Sequence, residues 1–203
     1  MLAEKDVIQY WEKRAAAQGA ATVGFAGHSL TEQDAEYEQK KGFIREHVPD
    51  DVPVLDYGCG TGRFSDCFEK EYLGVDITES LLEVARKNNP AKNYRRLENP
   101  WLEKVDFNFV LFFTSTVLQH NDDEMVKKIL KSVRDCRGSM FFGFVLYENS
   151  QVQAPHVKGR SSEEYAELVK TVFNVLHFWS YSHIVHGEEH TLTIINVEQS
   201  YEM

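Results

Sequence analysis

The sequence has few cysteines, no long apolar run and no excess of positive charge, and each shortage excludes a class of protein. Its three cysteines include no CxxC pair and cannot all pair with one another, which is typical of reduced cytoplasmic thiols. No apolar run approaches the roughly 18 residues of a transmembrane helix, and the charged N-terminus lacks a signal core. A net charge of −10 provides no overall basic surface. We therefore expect a cytoplasmic protein without a membrane partner, and a nucleic-acid partner would require a local basic patch.

The length and composition fit one globular domain. The chain has 203 residues, of which 42% are apolar and 27% are charged. It contains no internal repeat and no low-complexity linker, so we expect a single domain over residues 1–203. Apolar spacing predicts helices over residues 4–18 and 32–47, and the glycine-rich residues 19–30 between them predict a loop.

From residue 52 onward, strand and helix patterns alternate, which indicates a parallel sheet wrapped by helices. Strands are predicted over residues 52–57, 72–77, 92–97, 106–113 and 139–147, and two long strands within residues 172–197 are joined by a turn at HGEE. Helices are predicted over residues 63–70, 78–89, 121–137 and 161–172. Because the last two strands form a hairpin, the sheet must end in an antiparallel edge.

The stretch VLDYGCGTG, residues 54–62, combines a predicted strand, an acid and three glycines at alternate positions. Glycine at 58 and 60 permits a positive φ and removes the Cβ that would hold a ligand away. The spacing is not the GxGxxG of dinucleotide-binding loops, because Arg63 occupies the position of the third glycine. It is not a triphosphate loop either, since no Gly-Lys pair follows.

A second acid lies at the end of the next predicted strand. Asp76 follows Asp56 by 20 residues, and ligands of open α/β sheets bind at the carboxyl ends of the strands. A carboxylate there can accept hydrogen bonds from both hydroxyls of a ribose, and its neighbour Ile77 can pack on a purine face. An alternative role for Asp76 is to cap the following helix together with Thr78.

At these residues the chain resembles the class I S-adenosylmethionine-dependent methyltransferases. VLDYGCGTG matches their first motif, an acid followed by GxGxG, and YLGVD matches the acidic end of their second strand. TSTVLQHNDDE resembles the segment after their fourth strand. The resemblance covers about residues 50–147 and implies an α/β, Rossmann-like three-layer sandwich. The implied sheet is mostly parallel, with seven strands in the order 3-2-1-4-5-7-6 and an antiparallel final strand.

The resemblance also implies S-adenosyl-L-methionine as the cofactor, bound by a core over residues 49–203. The aromatic, arginine-bearing helix near the N-terminus and the glycine-rich stretch after it predict a helical lid over residues 1–48. The residues that the resemblance places around the cofactor are Asp56, Gly58 and Gly60 at the methionine portion, Asp76 at the ribose, Glu98 and Asn99 near the adenine, Thr114 on the methionine side and Arg14 at the cofactor carboxylate. Arg14 could instead be a solvated helix residue.

Methyl transfer needs a general base only when the acceptor arrives protonated, and histidine is the usual candidate at neutral pH. His120 follows the fourth strand, and His156 lies after the fifth strand, where loops border the substrate in this fold. A packing or capping role is the alternative for His120. His183, His186 and His190 flank the last turn, but their spacing and the lack of a nearby cysteine do not favour zinc, so we expect no metal.

The acceptor is the least determined part of the reaction. The fourth strand lacks the Pro-Pro-aromatic signature of amino methylation on adenine or glutamine, and no Pro-Cys nucleophile marks a cytosine C5 enzyme. With an acidic chain, we expect an oxygen or nitrogen of a small molecule. Three alternatives stay open: a protein acceptor, a nucleic acid held by Lys92, Arg95 and Arg96, and a cofactor-binding partner or sensor without turnover. The sequence does not indicate an oligomeric state.

Overall fold

The computed structural model describes residues 4–18, 30–102, 105–136, 143–148, 153–154, 157–185 and 187–198. The strands are β1 Val54–Tyr57, β2 Tyr72–Asp76, β3 Asn93–Arg96, β4 Leu111–Ser115, β5 Gly143–Glu148, β6 Gln153–Ala154, β7 Val157–Lys158, β8 Val175–Val185 and β9 Glu188–Val197. The helices are α1 Glu4–Gln18, α2 Leu30–His47, α3 Glu79–Asn88, α4 Asp123–Cys136 and α5 Ser162–Lys170.

One seven-stranded sheet organises the chain, in the order β3-β2-β1-β4-β5-β9-β8. The first five of these strands pair in parallel, whereas β9 is antiparallel to both β5 and β8. The short strands β6 and β7 pair only with each other. When this two-stranded hairpin is left out of the count, the order is the predicted 3-2-1-4-5-7-6, so the expected fold class and antiparallel final strand are confirmed.

The sheet separates two apolar cores, which explains why its central strands are apolar on both faces. Neighbours Phe112 and Phe113 are both fully buried but belong to different cores. The first core packs α4 and α5 on the sheet. The second contains Ile44 and Val48 from the end of α2 and its adjoining loop. Among the helices that the structure describes, none is long and apolar enough to cross a membrane.

The helix predicted over residues 63–70 is wrong in type, because the structure has only a 3-10 turn over Ser65–Cys67. The apolar residues that suggested a helix, Phe64, Cys67 and Phe68, are all buried as expected. A longer helix does not fit here, because Glu69 and Lys70 already donate backbone hydrogen bonds to Asp50 as the chain enters β2. The segment between the glycines and β2 therefore leads the chain back to the sheet instead of forming a helix.

The fourth strand was predicted to begin at residue 106, and it begins at Leu111. Its partner β1 sets this limit, since Val54 is the first residue of β1 and lies opposite Leu111. Proline has no N–H with which to extend a ladder, and the carbonyl of Pro53 accepts the last bonds, from Val110 and Leu111. The apolar residues before Leu111 pack without joining the sheet.

Two glycines give opposite predictions for the stability of this fold. A Cβ on Gly143 in β5 would lie 2.2 Å from the carbonyl oxygen of Ile195 in β9, whereas a Cβ on Gly42 in α2 would meet no atom within 4 Å. We expect Gly143→Ala to lower the free energy of unfolding by more than about 2 kcal/mol, because it forces two paired strands apart. Gly42→Ala should raise it by about 0.5–1 kcal/mol through helix propensity. Urea unfolding of both variants checks this, and a neutral Gly143→Ala would contradict the β5–β9 register.

Candidate functional site

The loop after β1 needs its glycines for two physical reasons. Gly58, Gly60 and Gly62 have φ values of 72°, 53° and 73°, in the left-handed region that favours glycine. A Cβ on Gly58 would also lie 2.4 Å from Val117, and one on Gly62 would lie 2.6 Å from the hydroxyl of Tyr94. The loop therefore packs closely against the chain after β4 and against β3, while its backbone turns at the carboxyl end of β1.

Asp76 links this loop to the start of α3. Its Oδ2 accepts a hydrogen bond from the N–H of Gly60 at 2.9 Å, and its Oδ1 accepts one from the N–H of Thr78 at 2.8 Å. Burial raises the pKa of Asp76, against the opposing effect of these two N–H groups. The capping alternative thus has structural support, although the Thr78 side chain itself makes no cap bond. A carboxylate has about four acceptor positions, so it can also accept from a ligand.

Asp56 is engaged beneath the loop. It is 2% exposed, and the Tyr72 hydroxyl donates to its Oδ2 at 2.5 Å. Burial raises the pKa of Asp56 to about 7, which the bond from Tyr72 opposes. This contact joins β1 to β2 on the face that α2 covers. That Asp56 holds a methionine group stays a prediction.

The other predicted cofactor residues lie near the same edge of the sheet. The N–H of Leu97 bonds the carbonyl of Asp76 at 2.8 Å, which brings the chain after β3 beside the second acid. Along this rim, Ile77 and Asn99 are half-buried and Glu98 is exposed. Thr114 in β4 is fully buried, and its hydroxyl has no hydrogen-bond partner among the described residues.

Helix α1 lies across this edge. Its Trp11 packs edge-on against His120, with ring centroids 5.0 Å apart. Its Glu12 lies 3.7 Å from Arg96 at the end of β3. Arg14 is half-buried and donates to the Tyr10 hydroxyl at 3.0 Å, so it is held within the helix surface rather than fully solvated. Arg14 also lies 5.5 Å from the ring centre of Trp11, so Trp11 neighbours both Arg14 and His120.

The turn that carries His120 is held from two sides by the buried side chains of Glu148 and Arg160. Glu148, at the end of β5, accepts from the N–H of Leu118 at 3.2 Å. Arg160 donates to the carbonyl of Leu118 at 3.0 Å and to that of Asn121 at 2.7 Å. Just before this turn, Thr116 has a φ of 55°, an outlier for a β-branched residue. Such outliers persist where the surroundings fix them, and they concentrate at functional sites.

Glu148 and Arg160 were missed at the sequence level. Glu148 ends the apolar run GFVLYE just as Asp56 and Asp76 lie at or near the ends of theirs, and this signal could have found it. Burial raises the pKa of Glu148 to about 8, although Leu118 and Arg160 oppose the shift. Arg160 lies 42 residues from its carbonyl partner Leu118, and no local pattern indicates that contact.

A buried polar cluster between α2 and the ends of β5, β8 and β9 was missed as well. Its members are Glu36, Tyr37, Lys40, Arg63, Tyr147, His183 and His190. Lys40 and Glu36 form an ion pair of 2.6 Å with side chains 3% and 2% exposed, and Arg63 lies 4.1 Å from the ring centre of Tyr37. The Tyr147 hydroxyl and Nε2 of His183 are 2.6 Å apart. Burial, with Lys40 and His183 nearby, lowers the pKa of His190 to about 3.

The remaining histidines of the sequence analysis are only partly placed. His156 and His186 lie outside the described residues. The rings of His183 and His190 are 6.2 Å apart, and both pack against Tyr147. Within the described ranges, no group of three or more His, Cys, Asp or Glu side chains is arranged to hold a metal ion.

Comparison with known proteins gives one family and many structures of the same fold. A family model described as a methyltransferase domain matches residues 54–137. A malonyl-acyl-carrier-protein O-methyltransferase from Hamiltonella defensa is 31% identical over 110 residues, which cover 51% of this chain and 42% of that protein. The shared region thus spans less than half of the relative.

Solved structures extend the likeness to almost the whole chain. Magnesium protoporphyrin IX methyltransferase from Synechocystis, solved with bound S-adenosylhomocysteine, has a TM-score of 0.66 and 11% identity over 94% of this chain and 98% of its own. An S-adenosylmethionine-dependent methyltransferase from Anabaena variabilis has a TM-score of 0.67 and 18% identity over 95% of each chain. At these identities the likeness establishes the fold.

The buried carboxyl of Glu148 predicts how stability changes with pH. Its pKa rises from an ordinary value of 4.5 to about 8 on folding, so the folded protein holds a proton that the unfolded chain releases between these values. This contribution to stability is present below about pH 4.5 and is lost as the pH rises through about 8. Asp56 acts in the same direction, whereas His190 titrates mainly below pH 6.5 and acts in the opposite one.

We expect Glu148→Gln to make the fall in unfolding free energy between pH 6.5 and 8.5 less steep than in the wild type. Glutamine keeps an oxygen for the Leu118 N–H but cannot ionise. Denaturant unfolding at a series of pH values measures the slope, with Glu83→Gln on the exposed face of α3 as the control. Equal slopes in all three proteins would show that Glu148 does not titrate in this range.

Proposed function

We propose that the chain is a class I S-adenosylmethionine-dependent methyltransferase, which binds S-adenosylmethionine and transfers its methyl group to an oxygen or nitrogen of a small molecule. The match of residues 54–137 to a methyltransferase domain and the shared fold support this proposal. The observation that carries this proposal is the contact between the glycine loop after β1 and the acid at the end of β2. There the left-handed glycine loop and the carboxylate of Asp76 are bonded to one another at 2.9 Å.

The residues at this edge fit the chemistry of the cofactor. The positive φ of Gly58 and Gly60 leaves backbone without Cβ atoms at the open end of β1, and Asp76 retains acceptor positions for the ribose hydroxyls. The buried hydroxyl of Thr114 lacks a partner among the described residues, so it is available to a polar group of the ligand. Arg14 supplies a cation from α1 for the ligand carboxylate, which supports the lid assigned to residues 1–48.

The cofactor supplies an activated methyl group on a sulfonium, so this chain has to align the acceptor and exclude water. Helix α1 excludes water through Trp11, which covers the His120 turn. Glu148 and Arg160 contribute to the alignment of the acceptor because they fix that turn. His120 is the candidate base for an acceptor that arrives protonated, and His156 shares that role in the proposal.

The acceptor is proposed to bind over the ends of β4 and β5, between the His120 turn and the polar cluster under α2. Buried charges are costly unless paired, and here the paired Glu36 and Lys40 lie in the same cluster as Tyr147, on which the charge of Glu36 acts. A polar small molecule suits this environment. The names of the relatives support an acceptor that is neither nucleic acid nor membrane, since they act on malonyl-acyl-carrier protein and magnesium protoporphyrin IX.

The nucleic-acid alternative has less support from the structure. Of the three basic residues that it needs, Lys92 donates to the carbonyl of Phe68 and Arg96 pairs with Glu12. Their charges are therefore partly used within the protein. The sensor alternative differs from an enzyme in that it binds the cofactor without transferring the methyl group, so a turnover measurement distinguishes the two.

A metabolite screen tests the proposed reaction. Pools of small molecules are incubated with the protein and S-adenosylmethionine, and we expect one pool to release S-adenosylhomocysteine in amounts that depend on the acceptor. Heat-denatured protein is the control for non-enzymatic release. The sensor alternative would be supported instead if the protein bound the cofactor tightly but released no S-adenosylhomocysteine with any pool, peptide or RNA.

Substitution of Asp76 tests the ribose contact. We expect Asp76→Ala to lower the affinity for S-adenosylhomocysteine by about 30- to 800-fold. Losing two charge-assisted hydrogen bonds costs about 2–4 kcal/mol, and each 1.4 kcal/mol corresponds to about tenfold in affinity. Asp76→Asn should lose less, because its amide oxygen still accepts one bond. Calorimetric titration of the folded variants measures both values.

Asp76 also accepts hydrogen bonds from Gly60 and Thr78, so a second ligand is needed to separate its ribose contact from its role in holding the loop. An analogue of S-adenosylhomocysteine without the two ribose hydroxyls should bind more weakly than the parent to the wild type. For Asp76→Ala, the two ligands should bind with nearly equal affinity. If the variant weakened both ligands by the same factor, Asp76 would act only by holding the loop.

A further inference from the structure

The sheet ends in a long strand whose outer edge is exposed. Strand β8 spans 11 residues, VLHFWSYSHIV, and carries no Lys, Arg, Asp, Glu or Pro. It pairs with β9 on one side, and no strand among the described residues pairs with its other side. Four large apolar side chains on it are exposed: Leu176, Trp179, Tyr181 and Ile184.

Such an edge differs from those that soluble proteins usually leave open. Edge strands are normally short, charged or interrupted by proline, because their unpaired N–H and C=O groups form a template for another strand. At the opposite edge of this sheet, β3 has only four residues, and two of them are Arg95 and Arg96. The contrast indicates that β8 is built to be paired.

The sequence of β8 indicates what pairs with it, because it is nearly a chemical palindrome about Ser180. Residues at equal distances from Ser180 match in type: Trp179 with Tyr181, His177 with His183, Leu176 with Ile184, and Val175 with Val185. Only Phe178 and Ser182 differ. In an antiparallel pair of identical strands centred on Ser180, each of these residues lies opposite its match on the other copy.

We propose that two copies of this chain associate through their β8 edges, antiparallel and two-fold symmetric about Ser180, so that their sheets become continuous. The regular part of the strand, the seven residues 177–183, provides about 23 Å of edge. Trp179 of each copy lies opposite Tyr181 of the other on the face that α2 covers, and such aromatic cross-strand pairs are stabilising. Each chain carries a net charge of −10, and the uncharged strand keeps this repulsion away from the seam.

The faces of β8 agree with this register. The ring of His183 stacks on Phe43 of α2, with centroids 3.9 Å apart, and the ring of Tyr181 lies 4.3 Å from that of His47. Alternate residues from His177 onward therefore face α2. Ser180, Ser182 and Ile184 then face the α5 side. The register with β9 shifts between Val175 and His177, so regular pairing with a second copy is expected from His177 to His183.

Two serines on the same face provide a matched test of the register. In the proposed pair, position 180 faces itself across the two-fold axis, with Cβ atoms about 4.5–5.5 Å apart, which small movements bring within disulfide range. Position 182 faces position 178, and its two copies lie about 14 Å apart. Ser180→Cys should therefore form a disulfide-linked dimer under mild oxidation, and Ser182→Cys should not. Equal cross-linking of both, or of neither, would overturn the proposal.

Sedimentation tests the association without cysteines. We expect the wild type to sediment with twice the 23.4 kDa mass of one chain at tens of micromolar. Trp179→Lys and Tyr181→Glu should each be monomeric, and their mixture should form a heterodimer, in which Lys faces Glu once and Trp179 faces Tyr181 once. Circular dichroism verifies that the variants fold, and Asn88→Lys on α3 is the control. A monomeric wild type, a dimer that both variants retain, or open-ended aggregation would overturn the proposal.

Discussion

The carboxylate of Asp76 is the contact on which the geometry of the candidate site depends. By accepting from Gly60 and from Thr78, it joins the loop after β1 to the start of α3 at the end of β2. The loop in turn packs Gly58 against Val117, in the chain that leaves β4. Three crossovers of the sheet are thus connected through one buried acid and one residue without a side chain. A larger residue at 58 would separate them.

Buried acids recur at this edge of the sheet. Asp56 bonds Tyr72, Asp76 bonds the glycine loop, and Glu148 bonds the turn that carries His120. Burial raises the pKa of all three carboxyl groups. This arrangement costs stability near neutral pH, and such costs are typical of sites in which function requires a polar group in an apolar place. A bound cation offsets the cost when these groups ionise, and the sulfonium of the proposed cofactor is one.

Local signals in the sequence were sufficient to predict the alternating strands and helices, the glycine loop and the second acid, whereas the sheet order followed from the resemblance to the methyltransferases. Strand patterns alternate with helix patterns, and parallel strands bring their carboxyl ends to one edge. The errors arose where a neighbouring element decides: β1 limits the start of β4, and the return to β2 prevents a helix after Gly62. The contacts of Arg160 and of the cluster around Tyr147 join distant parts of the chain, and no spacing in the sequence predicts them.

The central claim is that the loop and Asp76 form a site for S-adenosylmethionine and not for a dinucleotide. Calorimetric titration of the wild-type protein with S-adenosylhomocysteine, NAD and ATP in parallel tests it most directly. The account predicts one site per chain for S-adenosylhomocysteine, with NAD and ATP binding at least about 100-fold more weakly, a difference of about 2.7 kcal/mol. Tight binding of NAD with no binding of S-adenosylhomocysteine would contradict it.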